Sequence, residues 1–239
     1  MRQTSVILAF FLLPLTAGLA DVVAHWRVDT ADAVVLGSVV EPKDALSAPL
    51  PQGTIVVENV PPALIGTHLL SLSFTEENPG ATLSKEGSEL LSKTLAGGSF
   101  TIEAQILLNY PVNYGSILTA KGPRWFNFGT AGEQTFAFNA SSLGAGERQT
   151  SGLLLESGKW LHVAAVARKD GDDAIVQLFI NGIPVGDETI YVGGIEVDPD
   201  SIFSIGGPAG FPGQIHQVRV SDESLEPTQF LNEGQTNTH

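Results

Sequence analysis

The sequence predicts an all-β fold, a sandwich or jelly roll of short antiparallel strands, and three observations predict it. From Ser99 onward, apolar β-branched or aromatic segments recur about every 8 to 12 residues, bounded by Gly, Pro, Asn and Asp, which is sandwich spacing and not that of βαβ units. Between Gly158 and Gly182 two hairpin signals follow one another: Trp160 to Ala167 and Ala174 to Ile180 flank an Asp-Gly turn, and Asn181-Gly182 then turns the chain into Ile183-Pro184-Val185. The chain has no cysteine and 43% hydrophobic residues, so a sizeable core has to hold it together without disulfides.

Residues 1–20 read as a signal peptide, with Arg2 as the positive region, Val6 to Leu15 as a short apolar core and Gly18-Leu19-Ala20 before the cleavage point. That run is too short to span a bilayer, and no second apolar run follows, so residues 21–239 are expected to be exported as one domain without membrane insertion. Asp21 to Asp29 alternates like a strand. Thr30 to Pro62 reads as irregular and Pro-rich, with Ile55 to Val57 and Leu69 to Phe74 as short strands in and after it. Glu76 to Gly80 is a turn cluster. Ser88 to Ala96 reads as a short helix with Ser88 as N-cap and Gly97-Gly98 as terminator.

In Ser99 to Leu108, Phe100, Ile102, Ala104, Ile106 and Leu108 share a core face, with Thr101, Glu103 and Gln105 on a wetter one. Strands follow at Ser116 to Thr119, Trp125 to Phe128 and Thr135 to Asn139, then a small-residue loop from Ser141 to Arg148 and a strand at Gly152 to Leu155. After the meander, Ile202 to Gly207 and Phe211 to Val220 complete the set.

The net charge of −14 opposes binding to nucleic acid or anionic lipid. Without cysteine there is no thiol catalysis and no thiolate metal site.

Several segments taken together resemble a known family: Val23-Ala24-His25-Trp26, Ser99 to Ala104, Gly158-Lys159-Trp160-Leu161-His162-Val163-Ala164, Phe179-Ile180-Asn181-Gly182, Ile205-Gly206-Gly207 and Gly213-Gln214-Ile215 with Val218-Arg219-Val220. The chain is similar to laminin-G-like members of the concanavalin A-like lectin/glucanase superfamily over nearly all of residues 21–239. The resemblance implies a jelly-roll sandwich of two antiparallel sheets, with the N-terminal strand beside the C-terminal one. It also implies a binding module for a glycan or an extracellular protein, often calcium-assisted, whereas enzymes of the superfamily add carboxylates on the concave sheet. Two positions depart from the family pattern: Gln105 stands where a tryptophan is usual, and His216 where an acidic residue is common.

The candidate ligand-binding residues are Tyr110, Tyr114, Arg124 and Trp125, amphipathic aromatics and a cation in loops and strand ends that a jelly roll could bring to one rim. Glu196-Val197-Asp198-Pro199-Asp200 has the i, i+2, i+4 carboxylate spacing of the glucanases. Pro199 removes a ladder donor in mid-motif, so a solvated acidic loop is the first reading, with a calcium contact or catalysis as alternatives. Asp170-Gly171-Asp172-Asp173 offers calcium closely spaced oxygens but is equally what a hairpin tip requires. No metal ligand is assigned. His162, two residues from Trp160, is read as a packing residue whose ring nitrogens are satisfied locally. Asn139-Ala140-Ser141 matches a glycosylation acceptor. The expected function is that of an exported, non-enzymatic module binding a glycan or extracellular protein. A polysaccharide hydrolase or lyase using Glu196, Asp198 and Asp200 is the alternative, and a passive structural or adhesive envelope component a third.

Overall fold

The computed structural model describes residues 21–28, 35–52, 54–62, 70–74, 80–111, 113–207 and 210–231. The signal-peptide reading and most of the Glu76 to Gly80 turn cluster lie outside these residues. The N-terminal third holds β1 (Val22–Arg27), β2 (Val35–Ser38), α1 (Lys43–Leu46), β3 (Ala48–Pro49), β4 (Ile55–Val57), β5 (Ser71–Phe74), β6 (Ala81–Thr82) and α2 (Lys85–Ala96). Next come β7 (Phe100–Leu108), β8 (Gly115–Lys121), β9 (Phe126–Ala131), β10 (Thr135–Ser142) and β11 (Gly146–Leu154). The meander is β12 (Trp160–Asp170), β13 (Asp173–Ile180) and β14 (Ile183–Tyr191), and β15 (Ile195–Glu196), β16 (Ile202–Ile205) and β17 (Gly213–Ser221) follow it.

Among the described residues these strands form two antiparallel sheets. The larger runs β14-β13-β12-β7-β17-β1-β2-β3, with β5 also on β17 and β4 on β5; the smaller runs β11-β10-β9-β8-β16-β6, with β15 on β10. β1 pairs with β17 from Val22↔Ser221 to Arg27↔Gln217, so the two ends of the fold lie side by side as the resemblance implied. Asn181 and Gly182 have φ of 52° and 76°, the positive values a tight I′ hairpin needs, and Gly171 has 63° at the first tip.

The inward faces bury one apolar cluster, in which Phe126 meets Phe138 and Phe203 edge-on at centroid distances of 5.5 and 5.3 Å, and Tyr191 meets Phe138 at 5.8 Å. Trp26 is fully buried and donates its indole N–H to the carbonyl of Leu46 at 2.7 Å, which ties α1 to the edge of the sandwich.

Four expectations change. The helix begins at Lys85, capped by Ser84, whose hydroxyl accepts from the Gly87 N–H at 3.1 Å; Ser88 is buried and accepts from the Phe203 N–H. The turn after β10 is confined to Leu143–Ala145, so β11 starts at Gly146 inside the predicted loop, because its polar side chains stand on an exposed edge strand and show no apolar period. The Thr30 to Pro62 region carries β2, α1 and β3 besides the predicted Ile55 to Val57. Lastly, the outer face of β7 is not wet: Thr101, Glu103 and Gln105 are as buried as the core face, because the segment after β17 crosses over them. There Leu225 and Phe230 pack on Ala164, Val166 and Phe179.

Candidate functional site

Polar residues point outward from both sheets, and the two sets differ in one respect that decides which can take a ligand. On the larger sheet, Glu103 has no solvent exposure. Its carboxylate accepts from Arg219 Nε at 2.6 Å and from the Leu231 backbone N–H at 2.6 Å, and lies 2.8 Å from His162 Nε2. Arg219 also donates to the carbonyl of Gln229, and His162 stacks tilted against Phe230 at 5.3 Å. Next to this triad, Gln217 donates to Gln105 and lies 2.8 Å from His25 Nε2, while Gln105 donates to the Leu231 carbonyl. Every member is partnered, and the chain itself covers them. The glutamate, histidine and arginine of the family pattern thus fasten the C-terminal segment. His162 is a structural residue, and Gln105, in place of the usual tryptophan, spends its amide on the same fastening.

On the smaller sheet the outer face carries a ladder of cross-strand partners one strand after another: Thr82, Ser204, Thr119, Asn127, Asn139 and Gln149. Strand alternation puts them opposite Phe126, Phe128, Phe136 and Phe138, which go to the core. The edge members are satisfied: Thr82 and Ser204 hydroxyls are 3.1 Å apart and Thr119 donates to the carbonyl of Phe126 at 2.9 Å. The centre is not. Asn127 is 5% exposed and Asn139 fully buried, yet Oδ1 of Asn127 and both amide atoms of Asn139 have no hydrogen-bond partner among the described residues. A third orphan, the Ser201 hydroxyl, lies against Gly122, where an added Cβ would come within 2.3 Å of it.

A cleft of about 410 Å³ opens over Asn127, lined by Tyr114, Ser116, Thr119, Lys121, Trp125 and Glu147 among others. Native proteins leave few buried polar atoms unpaired, and here three of the four residues that do so among the described residues line the cleft or flank it. Its walls are apolar and aromatic, its floor amide and hydroxyl, which is the composition of a small-molecule or sugar site.

Of the sequence-predicted ligand residues, Tyr114 and Trp125 line this cleft, 59% and 41% exposed, but not at one rim. Tyr114 precedes Gly115, which pairs with Thr130 at the end of β9, whereas Trp125 precedes Phe126, the first residue of β9. They stand at opposite ends of the same strands. Arg124 is drawn away: its Nε lies 3.3 Å from Glu196, and Glu196 pairs with Ser141 where β9 has ended and β15 takes its place beside β10. Arg124 therefore anchors the turn that carries Trp125. Tyr110 is half-exposed and not part of the cleft lining.

The three spaced carboxylates are not brought together. Asp198 closes a turn by accepting from the Asp200 N–H at 2.8 Å, and Asp200, 82% exposed, lies 3.8 Å from Lys85. Only Glu196 stands beside the cleft, and its partner across Ser141 is Glu147, which sequence reasoning missed. Asp173 accepts from the Gly193 N–H, and among the described residues no group of three or more His, Asp or Glu side chains is placed to hold a metal. Asn139 is inaccessible to modification in the folded chain. Asn127 and Asn139 were also missed; their signal is the period-2 interruption of Phe-Asn-Phe and Phe-Ala-Phe-Asn, a polar residue set against a phenylalanine core face.

Two antiparallel sheets packed face to face, with the first strand beside the last, define a jelly-roll sandwich. A laminin-G-type model of the Concanavalin A-like lectin/glucanases superfamily matches residues 83–229, and the chain belongs to that family. No curated protein matches it. Among solved structures, it is similar to domain 4 of AbnA, a GH43 extracellular arabinanase from Geobacillus stearothermophilus, in complex with arabinotriose. That match has a TM-score of 0.60 and 14% identity and covers 88% of this chain and 96% of that one. It is also similar to the binding domain of Paraclostridial Mosquitocidal Protein 1 (TM-score 0.59, 10% identity, 87% of this chain and 50% of that one). A third is Trypanosoma rangeli sialidase (0.53, 15%, 86% and 31%). The chain thus spans half or less of the last two, and at these identities the likeness is one of fold.

Proposed function

We propose that the protein is an exported, non-catalytic glycan-binding module whose site is the cleft over Asn127. The observation that carries the reading is a cleft with exposed aromatic rings at Tyr114 and Trp125 and with Ser116, Thr119 and Asn127 on its floor, Oδ1 of Asn127 having no partner among the described residues. A buried amide without a partner costs the fold about 1–3 kcal/mol, and a sugar hydroxyl, both donor and acceptor, supplies what Asn127 lacks. Tyr114 and Trp125 offer the apolar faces of sugar rings flat surfaces at little entropic cost. The similarity to a domain solved with arabinotriose supports the same reading. Screening on a glycan array, followed by calorimetry on the hits, tests it. Asn127→Ala and Trp125→Ala are each expected to weaken binding about tenfold or more, and full binding in both, or none on any glycan, overturns it.

One observation favours hydrolysis as a second reading. Glu147 and Glu196 flank Ser141 on one face, about 10 Å apart at their Cα atoms, within the range of a carboxylate pair once side chains reach inward. Against it, Glu196 is engaged by Arg124 and Glu147 is exposed, so neither is placed in the apolar surroundings that keep a general acid protonated. Release of reducing ends from a bound polysaccharide, abolished by Glu147→Gln, would establish the second reading over the first.

A further inference from the structure

We infer that the cleft recognises an internal run of a linear, uncharged glycan lying parallel to β8 and β9, and that it does so over several sugar units. This rests on the glycan-binding reading above and adds the class of glycan.

The direction follows from the lining. Ser116, Thr119 and Lys121 lie along β8 with Tyr114 just before it, and Asn127 stands beside them on β9 with Trp125 just before that strand, so the long axis of the cleft is the strand direction. From the level of Tyr114 to that of Trp125 is about six residues of β9, or about 20 Å. The floor between is low: Ser116 and Gly129 are cross-strand partners, and Gly129 in turn faces Ala137. A Cβ on Gly129 would meet the Gly115 carbonyl at 2.0 Å, so the backbone itself keeps this stretch bare. With their backbone positions that far apart, a single sugar ring is expected to reach one aromatic and the Asn127 amide rather than both aromatics. Only an extended chain reaches from Tyr114 to Trp125 across Asn127.

The charge argues for an uncharged ligand. The ionisable side chains in and beside the cleft are Lys121, Arg124, Glu147 and Glu196, two of each sign, with Arg124 and Glu196 already paired. The protein as a whole carries −14, so a uronate- or sulfate-bearing chain finds no compensating positive field at the cleft and meets repulsion on approach. The unpartnered groups that would do the reading are neutral amides and a hydroxyl, which suit hydroxyls.

The test uses xylo-, arabino-, gluco- and manno-oligosaccharides of one to six units, with polygalacturonate and dextran sulfate as charged probes, read by calorimetry and tryptophan fluorescence. On the series that binds, affinity is expected to rise about tenfold or more between the disaccharide and the longest member that spans both rings, then level off. Tyr114→Ala and Trp125→Ala should each lower hexasaccharide affinity about tenfold, while Tyr114→Ala leaves the disaccharide within about twofold. Both residues are exposed, so these variants should fold, and circular dichroism checks that. Affinity should hardly change between low and high salt. A disaccharide as tight as the hexasaccharide, or a charged polymer bound more tightly and released by salt, overturns this inference and leaves the glycan-binding reading standing. Binding untouched by Asn127→Ala and Trp125→Ala together, or no binding to any probe, overturns both.

Discussion

Replacing Glu103 with glutamine removes one negative charge from a side chain that has no solvent exposure, and the structure fixes what that should do. The carboxylate faces only donors: Arg219 Nε at 2.6 Å, the Leu231 N–H at 2.6 Å and His162 Nε2 at 2.8 Å. Glutamine keeps one acceptor but turns the other oxygen into an NH2 group pointing at N–H groups, and it leaves the Arg219 guanidinium, 7% exposed, without a counter-charge. Removing one partner of a buried ion pair costs about 3–5 kcal/mol, a large part of the roughly 5–15 kcal/mol that holds a domain folded. Urea titration is the assay, and with a slope of about 3 kcal/mol/M the midpoint should fall by about 1 M or more. Hydrogen exchange at residues 224–231 should accelerate more than in the meander, since Leu231 loses its acceptor and Arg219 its hold on Gln229. A double variant, Glu103→Leu with Arg219→Met, should recover part of the loss, because an apolar pair leaves no stranded charge. A loss below about 1 kcal/mol for Glu103→Gln at unchanged slope would refute this account of the network.

Three further outcomes are expected from the same structure. His25 and His216 are both held below the ordinary histidine pKa of 6.5, chiefly by burial, so the unfolded chain takes up protons that the folded one refuses. Stability should be full above about pH 6.5 and decline as pH falls below it through the folded-state values, and denaturation midpoints that rise toward acid would contradict this. Arg124→Ala breaks a half-exposed pair worth at most about 1 kcal/mol, so thermal stability should barely change while affinity falls through the displaced Trp125; a large drop in Tm with intact binding would reverse the assignment. Asn139→Ala removes two buried unpaired atoms and should leave the protein as stable or about 1 kcal/mol more stable, as melting curves can show, whereas Asn127→Ala, on the cleft floor, should weaken binding in calorimetry.

Local signals made the meander, the Asn-Gly turn and the core face of β7 legible in the sequence, because each is set by period and turn chemistry within a few residues. The start of α2 was misplaced for a physical reason: Ser84 and Ser88 are both cap-type residues a turn apart, and which one caps depends on Phe203, whose N–H claims Ser88. Burial of Glu103 and Gln105 could not be read from β7 itself, since it depends on a segment more than a hundred residues away. Tyr114 and Trp125 were found because exposed aromatics in turns stand out. Asn127 and Asn139 were not, because an asparagine in a strand is notable only once the register shows that the two face one another.

The two outward sheet faces give a way to separate polar residues that hold the fold from those that serve a ligand. Both carry polar side chains at alternate positions, and both bury the central ones nearly completely. On the larger sheet the donors and acceptors close on one another and on the C-terminal segment, so Glu103, His162 and Arg219 have nothing left to offer a partner. On the smaller sheet the sequence places asparagines where alanine would fold as well or better, leaves their amides unpaired and keeps Gly129 and Ala137 beside them small. Neither asparagine amide ties one element to another through an unpaired atom, in contrast to Glu103 on the larger sheet. On the proposed reading, hydroxyl-bearing groups in the cleft supply the partner that Asn127 lacks, and the two exposed rings at its ends would set how long the molecule carrying them has to be.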